Sequence, residues 1–214
     1  MKVFVIGANG QIGKHIVSML KDSKEHTVTA MVRKEAQAEE LKQAGVEAVI
    51  ANLEGSANAL QEAMAGSEAV IFTAGSGAST GADKTMLIDL DGAIKSVEAA
   101  EQAGVKRFVM VSALQAHNRE NWGGTPSHYY VAKHYADRAL MNSGLTYTIV
   151  RPGGLLNEPG TGKVTAAENL EMKTIPREDV ARTVIESLNE SNTHNTAFDL
   201  LSGETKIADA LKNI

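Results

Sequence analysis

The chain has 214 residues, 43% of them hydrophobic and 22% charged, which is the balance of a globular core with a solvated surface. Its 26 acidic and 21 basic residues give a net charge of −5, which argues against a surface for nucleic acid or anionic membrane. Because cysteine is absent, disulfides, thiolate catalysis and Cys-ligated metals are excluded. No apolar run has the length of a signal peptide core or a membrane span, so we expect a cytoplasmic protein.

Short β-branched runs alternate with helical stretches rich in Ala, Leu, Glu and Lys. The predicted strands are Val3–Ile6, Thr27–Val32, Ala48–Ile50, Ala69–Phe72, Phe108–Val111 and Tyr147–Val150. The predicted helices lie near Ile12–Lys21, Ala36–Ala44, Ala57–Ala65, Lys84–Ala103 and His128–Asn142. Because right-handed crossovers place helices on both faces of such a sheet, the pattern predicts an α/β fold with a doubly wound parallel sheet.

The tail of the chain, residues 151–214, holds a Gly/Pro-rich loop, a helix starting near Pro176, a strand at Ala197–Leu201 and a final helix. About sixty residues are too few for a second domain with its own core. We therefore predict a single domain over residues 1–214, in which residues 151–214 form a small cap on the substrate side.

A glycine triad, GxxGxxG, follows the first predicted strand and precedes the first helix. The glycines allow a sharp turn, a close approach of backbone to a pyrophosphate and tight helix–strand packing. The helix N-terminus adds unpaired N–H groups and a positive dipole end. A glycine-rich turn alone is the alternative, but the order strand, triad, helix, strand predicts a Rossmann fold that binds a dinucleotide. The predicted phosphate-loop residues are Gly7, Asn9, Gly10, Gln11, Ile12 and Gly13.

The end of the second strand indicates which dinucleotide is bound. NAD enzymes usually place an acid about 20 residues beyond the glycine loop, where it binds the ribose 2′-hydroxyl. Here that position holds Arg33, followed by Lys34. A guanidinium pairs well with a 2′-phosphate, so the sequence predicts NADP(H). The alternative is that Arg33 is an ordinary solvated charge at a strand end.

Two later loops complete the predicted cofactor cleft. After the third strand, the Asn52 amide could bind the adenine edge while Leu53 packs on its face. After the fourth strand, the small residues Thr73, Ala74 and Gly75 would let the dinucleotide lie against backbone. Both loops could be plain turn chemistry. Their place at the same edge of the sheet favours the cofactor cleft.

Tyr129 and Lys133 are four residues apart, so on a helix they share one face. A nearby ammonium stabilises a tyrosine phenolate, which makes the phenol a better proton donor or acceptor, and the lysine can also reach ribose hydroxyls. Tyr130 could compete for this role, and a surface-helix pair is the alternative. The position after the fifth strand favours a catalytic pair.

No HExxH motif or carboxylate–histidine cluster is present, so we predict no metal and solvent-facing histidines. The loop after the fifth strand carries residues that either contact substrate or form an ordinary solvated loop. They are His117, Asn118, Arg119, Asn121 and Trp122.

The stretches GANGQIGK, MVRKE, FTAGSG, DLDGA, RFVMVSALQAH, YYVAK, RPGGL and EPGTGKV resemble the short-chain dehydrogenase/reductase superfamily over nearly the full chain. The resemblance is to its atypical members with GxxGxxG, and within these to the YhfK-like group described as NAD(P)-dependent epimerases or NAD(P)H-binding proteins. NmrA-like and biliverdin-reductase-B-like proteins are similar at a greater distance.

The resemblance implies a catalytic tetrad of Asn, Ser, Tyr and Lys. Tyr129 and Lys133 match its last two members, whereas the Asn position holds Asp89. The serine of VSA is Ser112, but in many relatives the hydroxyl falls one residue later, where this chain has Ala113. A water relay through an amide and polarisation of a substrate carbonyl are therefore both in question, and Ser112 could simply cap the strand end. The resemblance also implies that Pro152 and Gly153 pass the nicotinamide.

Three functions follow from these residues. The first is an NADP(H)-dependent oxidoreductase acting on a small carbonyl, flavin-like or quinone-like substrate. The second is a sugar epimerase or dehydratase, against which stands the short tail. The third is a non-catalytic NADP sensor, which the departures at positions 89 and 113 leave open. Relatives often dimerise through their two long helices, and the chain is expected to be a monomer or a homodimer with no nucleic-acid or membrane partner.

Overall fold

The computed structural model describes residues 1–77, 79–123 and 127–214. Its strands are β1 (Lys2–Ile6), β2 (Thr27–Val32), β3 (Glu47–Ile50), β4 (Ala69–Phe72), β5 (Arg107–Val111), β6 (Thr146–Pro152), β7 (Gly154–Leu156), β8 (Lys163–Ala167), β9 (Thr174–Pro176), β10 (Thr196–Ser202) and β11 (Thr205–Lys206). Its α-helices are α1 (Gln11–Lys21), α2 (Glu35–Gln43), α3 (Ala57–Ala63), α4 (Ala82–Lys84), α5 (Gly92–Gln102), α6 (Ser127–Met141), α7 (Arg177–Ser187) and α8 (Ile207–Leu211). A π-helix spans Thr85–Asp91, and two short 3₁₀ turns span Arg119–Asn121 and Ser191–Thr193.

Nine strands form the central sheet in the order β11-β8-β10-β6-β5-β4-β1-β2-β3. All neighbours from β10 to β3 are parallel, and β8 pairs antiparallel with both β10 and β11. The chain order reverses between β1 and β4, which is the point where doubly wound folds bind ligands at the carboxyl ends of the strands. The predicted single-domain Rossmann fold is confirmed.

Both faces of the sheet are covered by helices. Along β1, Val3 and Val5 pack into the core beneath α1 and α7, while Phe4 and Ile6 pack into the core beneath α3, α5 and α6. A strand that alternates in this way between two dry cores has no polar face, which explains why the predicted strands are continuous apolar runs.

The tail of the chain contributes more strands than its sequence indicates. β10 confirms the predicted strand at Ala197–Leu201 and extends the sheet beside β6, with β8 and β11 outside it. β7 and β9 form a second, two-stranded sheet. The prediction missed β7, β8, β9 and β11, because short strands with one exposed face have little apolar signal. The role of this segment as a substrate-side cap stays a prediction.

The predicted helix Lys84–Ala103 is not a single α-helix. It consists of the short α4, the π-helix Thr85–Asp91 and α5. A π turn accommodates an extra residue and shifts the side chains that follow, and it often occurs at functional sites. Here it carries Asp89 into the interior, where only 1% of the residue is exposed. Within the described ranges, no helix is long and apolar enough to cross a membrane.

Candidate active site

The glycine loop joins β1 to α1 through contacts that leave no room for side chains. Gly7 has a φ of +86°, and a Cβ there would lie 2.7 Å from the Ala74 nitrogen. A Cβ on Gly13 would lie 2.1 Å from the Gly7 carbonyl oxygen. The Gly10 N–H donates to that same oxygen at 2.8 Å. The loop is therefore a tight turn whose backbone is pressed against the segment that follows β4.

The N-terminus of α1 has the features of an anion site. Gly10 is its N-cap, no side chain caps it, and its first turn contains no acid. Asn9 and Gln11 are exposed, whereas Ile12 is buried in the core beneath the helix. Backbone N–H groups and the dipole thus face an open surface, while Ile12 holds the helix in place. These residues fit a dinucleotide pyrophosphate.

Arg33 and Lys34 lie directly beyond the end of β2, and both are exposed. Their backbone N–H groups donate to Gln37 Oε1 at 3.3 and 3.2 Å, which fixes the turn into α2. Neither side chain forms an ion pair with a residue that the structure describes. The guanidinium is therefore free to meet an anion beside the cleft.

The other predicted cleft residues have structural contacts of their own. Asn52 Oδ1 accepts a hydrogen bond from the Glu54 N–H at 3.1 Å, and its amide nitrogen is not used in this turn. Leu53 is 7% exposed and lies in the core, where it would contact a Cβ placed on Gly92 of α5. The Thr73 hydroxyl donates to the Ile6 carbonyl at 3.2 Å and so braces the glycine loop.

Tyr129, Lys133 and Asp89 come together where α6 packs on the π-helix. Lys133 Nζ lies 3.2 Å from Asp89 Oδ1 and 5.8 Å from the centre of the Tyr129 ring. The other carboxylate oxygen of Asp89 accepts the Ser76 N–H at 2.9 Å, which links the pair to the loop after β4. Burial opposes the ammonium, but attraction to Tyr129 and Asp89 outweighs it and raises the pKa of Lys133. Lys133 is thus a buried ammonium beside a half-buried phenol.

A second buried acid, Asp137, lies one further turn along the same face of α6. Its Oδ2 accepts from Arg151 Nε at 2.9 Å, and both side chains are 3% exposed. Burial raises the pKa of Asp137 against the attraction of Arg151. The nearby Ser112 hydroxyl lowers the pKa of Asp137, although the hydroxyl and the carboxylate do not form a hydrogen bond with good geometry. Ser112 therefore lies beside an interior acid. Sequence reasoning missed Asp137, although its spacing of four and eight residues from Lys133 and Tyr129 was the available signal.

Aromatic side chains form the wall next to Tyr129. Tyr130 is stacked on Trp122 with ring centres 5.6 Å apart, and its ring meets that of Tyr129 edge to face at 5.8 Å. His134 is buried and bonds the Ala116 carbonyl through Nδ1 at 2.9 Å. The prediction of solvent-facing histidines is wrong for His134 and for His26, which are each 8% exposed. Both lie where distant segments cover them, which helical phase alone does not reveal.

The segment after β6 is held by close backbone contacts. A Cβ on Gly153 would lie 2.3 Å from the Lys173 carbonyl oxygen, and Pro152 accepts the Leu114 N–H at 3.0 Å. The buried Asp179 accepts the N–H groups of Thr161 and Gly162 at 2.8 Å each. Asp179 therefore fixes the loop before β8. In the described part of the chain, no group of three or more His, Asp or Glu side chains could hold a metal ion.

Comparisons with known proteins identify the family of the chain. A family model described as NAD(P)H-binding matches residues 7–191. The chain is 64% identical over 214 residues to the Bacillus subtilis (strain 168) protein described as uncharacterized sugar epimerase YhfK, and the match covers 100% of both.

Two solved structures extend the likeness. A Bacillus halodurans protein, described as an NAD-dependent epimerase/dehydratase, superposes with a TM-score of 0.93 at 44% identity and 100% coverage of both chains. ChuY of Escherichia coli O157:H7, described as an anaerobillin reductase, superposes with a TM-score of 0.78 at 25% identity, covering 96% of this chain and 99% of that one. With the glycine loop, the helix N-terminus and the Tyr129–Lys133 pair in place, the chain belongs to the NAD(P)H-binding family.

Proposed function

We propose that the protein is an NADP(H)-dependent oxidoreductase that reduces a small carbonyl, flavin-like or quinone-like substrate. The observation that carries this proposal is the buried Lys133 ammonium, 3.2 Å from Asp89 and 5.8 Å from the Tyr129 ring centre, at the carboxyl edge of the sheet. This arrangement is joined to the predicted dinucleotide cleft through the Ser76 N–H. A proton donor thus lies beside the segment that the cofactor would follow.

In the proposed reaction, some residues supply charge or a proton and others hold these groups in position. When bound, the nicotinamide exchanges a hydride with the substrate. Tyr129 would donate the proton that balances this transfer, leaving a phenolate that the Lys133 ammonium stabilises. Attraction to the Tyr129 phenolate formed in this step and to Asp89 outweighs burial and raises the pKa of Lys133, so that it stays charged. Asp89 also anchors the loop after β4, so that the proton donor and the cleft keep a fixed relation.

Arg33 supports NADP(H) rather than NAD(H). Its exposed guanidinium lies at the end of β2 without an ion pair to the described residues, and a 2′-phosphate would supply one. A solved structure of a Veillonella parvula short-chain dehydrogenase/reductase, at 19% identity and a TM-score of 0.77, contains NADP, which agrees with the fold of the cleft.

Calorimetric titration with NADPH and NADH tests the cofactor. Wild type should prefer NADPH, and Arg33→Ala should weaken NADPH binding by about 10- to 100-fold, the scale of a charged hydrogen bond, while NADH binding stays unchanged. Arg138→Ala, which removes an exposed arginine on α6, is the matched control. Equal affinity of the wild type for both dinucleotides would refute the 2′-phosphate argument and favour an NAD-dependent epimerase.

Substitution of Tyr129 tests the chemistry. Tyr129→Phe should lower turnover of a carbonyl or quinone substrate by about 100-fold or more with little change in NADPH affinity. Tyr135→Phe is the control, because Tyr135 lies on the same helix but is 45% exposed and its hydroxyl accepts a hydrogen bond from Arg119. If Tyr129→Phe leaves turnover unchanged, Tyr129 is not the proton donor. If NADP instead changes binding to a protein partner in both variants, the protein is a sensor.

A further inference from the structure

A groove of about 350 Å³ opens beside Tyr130. One wall comes from the segment after β5, and the other from the segment between β8 and β9. The residues that line it are Leu114, Gln115, Asn121, Tyr130, Asn169, Leu170, Glu171 and Met172. None of them belongs to the predicted cofactor cleft. Tyr130 links the groove to the proposed proton donor, because its ring contacts that of Tyr129.

One buried carboxylate holds both walls together. Asp199, which is fully buried on β10, accepts hydrogen bonds from the backbone and side-chain nitrogens of Gln115 and from the Leu170 N–H at 3.1 Å. Gln115 in turn accepts from Asn121 Nδ2 at 2.7 Å and, through its carbonyl, from Trp122 Nε1 at 3.2 Å. The groove is therefore preorganised by contacts that cross the fold.

Gln115 is also one of only two non-glycine residues in the described chain with a positive φ, at 59°. Side chains other than glycine adopt this conformation at a cost, and such residues concentrate at functional sites. The conformation puts the Gln115 amide, carbonyl and N–H all into the network that shapes the groove. The need to keep the groove in one shape would explain both why Asp199 is buried without a cation and why Gln115 has a positive φ.

The lining has the chemistry of a site for a flat ring. Tyr130, which is stacked on Trp122 and 4% exposed, contributes a small aromatic surface, and Leu114, Leu170 and Met172 add apolar contacts. Met172 is 64% exposed, which is a large solvent-facing area for an apolar side chain. Asn169 uses its carbonyl oxygen for Gln115 and His117, which leaves its amide nitrogen available as a donor.

The charge in the groove is negative. Among the described lining residues, Glu171 alone is charged, and it has no ion pair with the rest of the described chain. Arg119 belongs to the same loop as Asn121, but its guanidinium lies over the rings of Trp122 and Tyr135 and is absent from the lining. The groove therefore has no cation to receive a carboxylate, sulfonate or phosphate.

We infer that this groove binds the ring of the hydride acceptor, and that it selects uncharged or cationic planar rings over anionic ones, with Glu171 setting the preference. This inference rests on the proposed reductase function and names the substrate class of that site. It disfavours a sugar nucleotide, whose diphosphate would meet only Glu171 and neutral amides. A neutral quinone or a cationic heteroaromatic ring meets apolar side chains, the Asn169 amide and one negative charge.

Fluorescence of Trp122, the only tryptophan of the chain, provides a binding measurement that needs no turnover. The protein, saturated with NADP⁺ so that no hydride is available, is titrated with three probes on one ring system: naphthoquinone, a naphthoquinone sulfonate and a naphthoquinone that carries a trimethylammonium group. The chain has no cysteine, so addition of thiols to the quinone does not interfere. The neutral and cationic probes should quench Trp122 and bind about tenfold more tightly than the sulfonate.

Three variants make the charge argument testable. Glu171→Gln should weaken binding of the cationic probe about threefold, the scale of an exposed ion pair, without affecting the neutral probe. Met172→Lys, which places a cation at an exposed position of the same wall, should strengthen sulfonate binding. Glu168→Gln, an exposed acid outside the lining, is the matched control and should change nothing.

The failures of the two proposals are distinguishable. If the sulfonate binds as tightly as the neutral probe, if Glu171→Gln has no effect, or if no probe quenches Trp122, the groove inference is overturned whatever the turnover. If the probes bind in the expected order but NADPH reduces none of them, the reductase function fails and the charge selection of the groove stands.

Discussion

Replacement of Gly13 by alanine tests whether the glycine loop depends on close packing or only on flexibility. A Cβ at this position would lie 2.1 Å from the Gly7 carbonyl oxygen and 2.9 Å from Ala8 Cα, and both of these are backbone atoms. Since ordinary contact begins near 3.4 Å, the turn would have to open by about 1.3 Å. Neither atom can swing away like the end of a side chain, so β1 and α1 must separate.

The expected magnitude follows from this displacement. Overpacking of a rigid site costs about 1–3 kcal/mol, so Gly13→Ala should lower the free energy of unfolding by about 2–3 kcal/mol and the melting temperature by about 5–10 °C. The moved N-terminus of α1 should also weaken NADPH binding by about 10- to 100-fold, the scale of one charged hydrogen bond lost to the pyrophosphate. Urea unfolding and calorimetric titration measure the two effects separately.

Two further glycines provide graded controls for this prediction. At Gly10, whose backbone is extended, a Cβ would lie 3.1 Å from the Gly7 oxygen, so stability should change by less than about 1 kcal/mol while NADPH binding weakens. At Gly144, a Cβ would meet only the end of the Glu101 side chain at 3.3 Å, and neither property should change. If Gly13→Ala is as stable as Gly144→Ala, the packing argument is wrong.

Two predictions concern stability away from the cleft. The buried Arg107 donates to the Thr146 and Ser187 carbonyls at 3.0 and 2.7 Å, and burial lowers its pKa to about 10. Arg107→Met should cost about 2 kcal/mol in urea unfolding, because it leaves buried acceptors unpaired, whereas the exposed Lys106→Met should cost almost nothing. The pKa of Glu178 is lowered, first by the Gly160 N–H bond and then by Arg182. A lowered carboxyl pKa stabilises the fold above the unfolded value of about 4.5 and loses that contribution as pH falls through the folded value. Thermal melts of the wild type and Glu178→Gln should therefore differ at pH 7 and converge in acid, and a constant difference would contradict this origin.

Local pattern was enough to predict most of the fold. β2 and β4 have the predicted bounds, and the other long strands differ by one or two residues at an end. Each lies between two cores, so its apolar run is visible in any short window of sequence. The glycine loop was predictable because the spacing of Gly7, Gly10 and Gly13 lies within seven residues, whereas the close contact of Gly7 with Ala74 was not visible in that window. The four-residue spacing of Tyr129 and Lys133 likewise placed both on one helix.

The sequence by itself determined which segments form strands and helices, where the glycine turn lies and which side chains share a helix face, because these depend on neighbours within one or two turns. Tertiary structure alone decided the partners of the buried charges. Asp137 meets Arg151 across 14 residues, and Asp199 meets Gln115 across 84. Those contacts depend on strand order, on the π turn that carries Asp89 inward and on the antiparallel β8, none of which has a local periodicity. The chain positions that form the groove are set by the packing of the whole sheet.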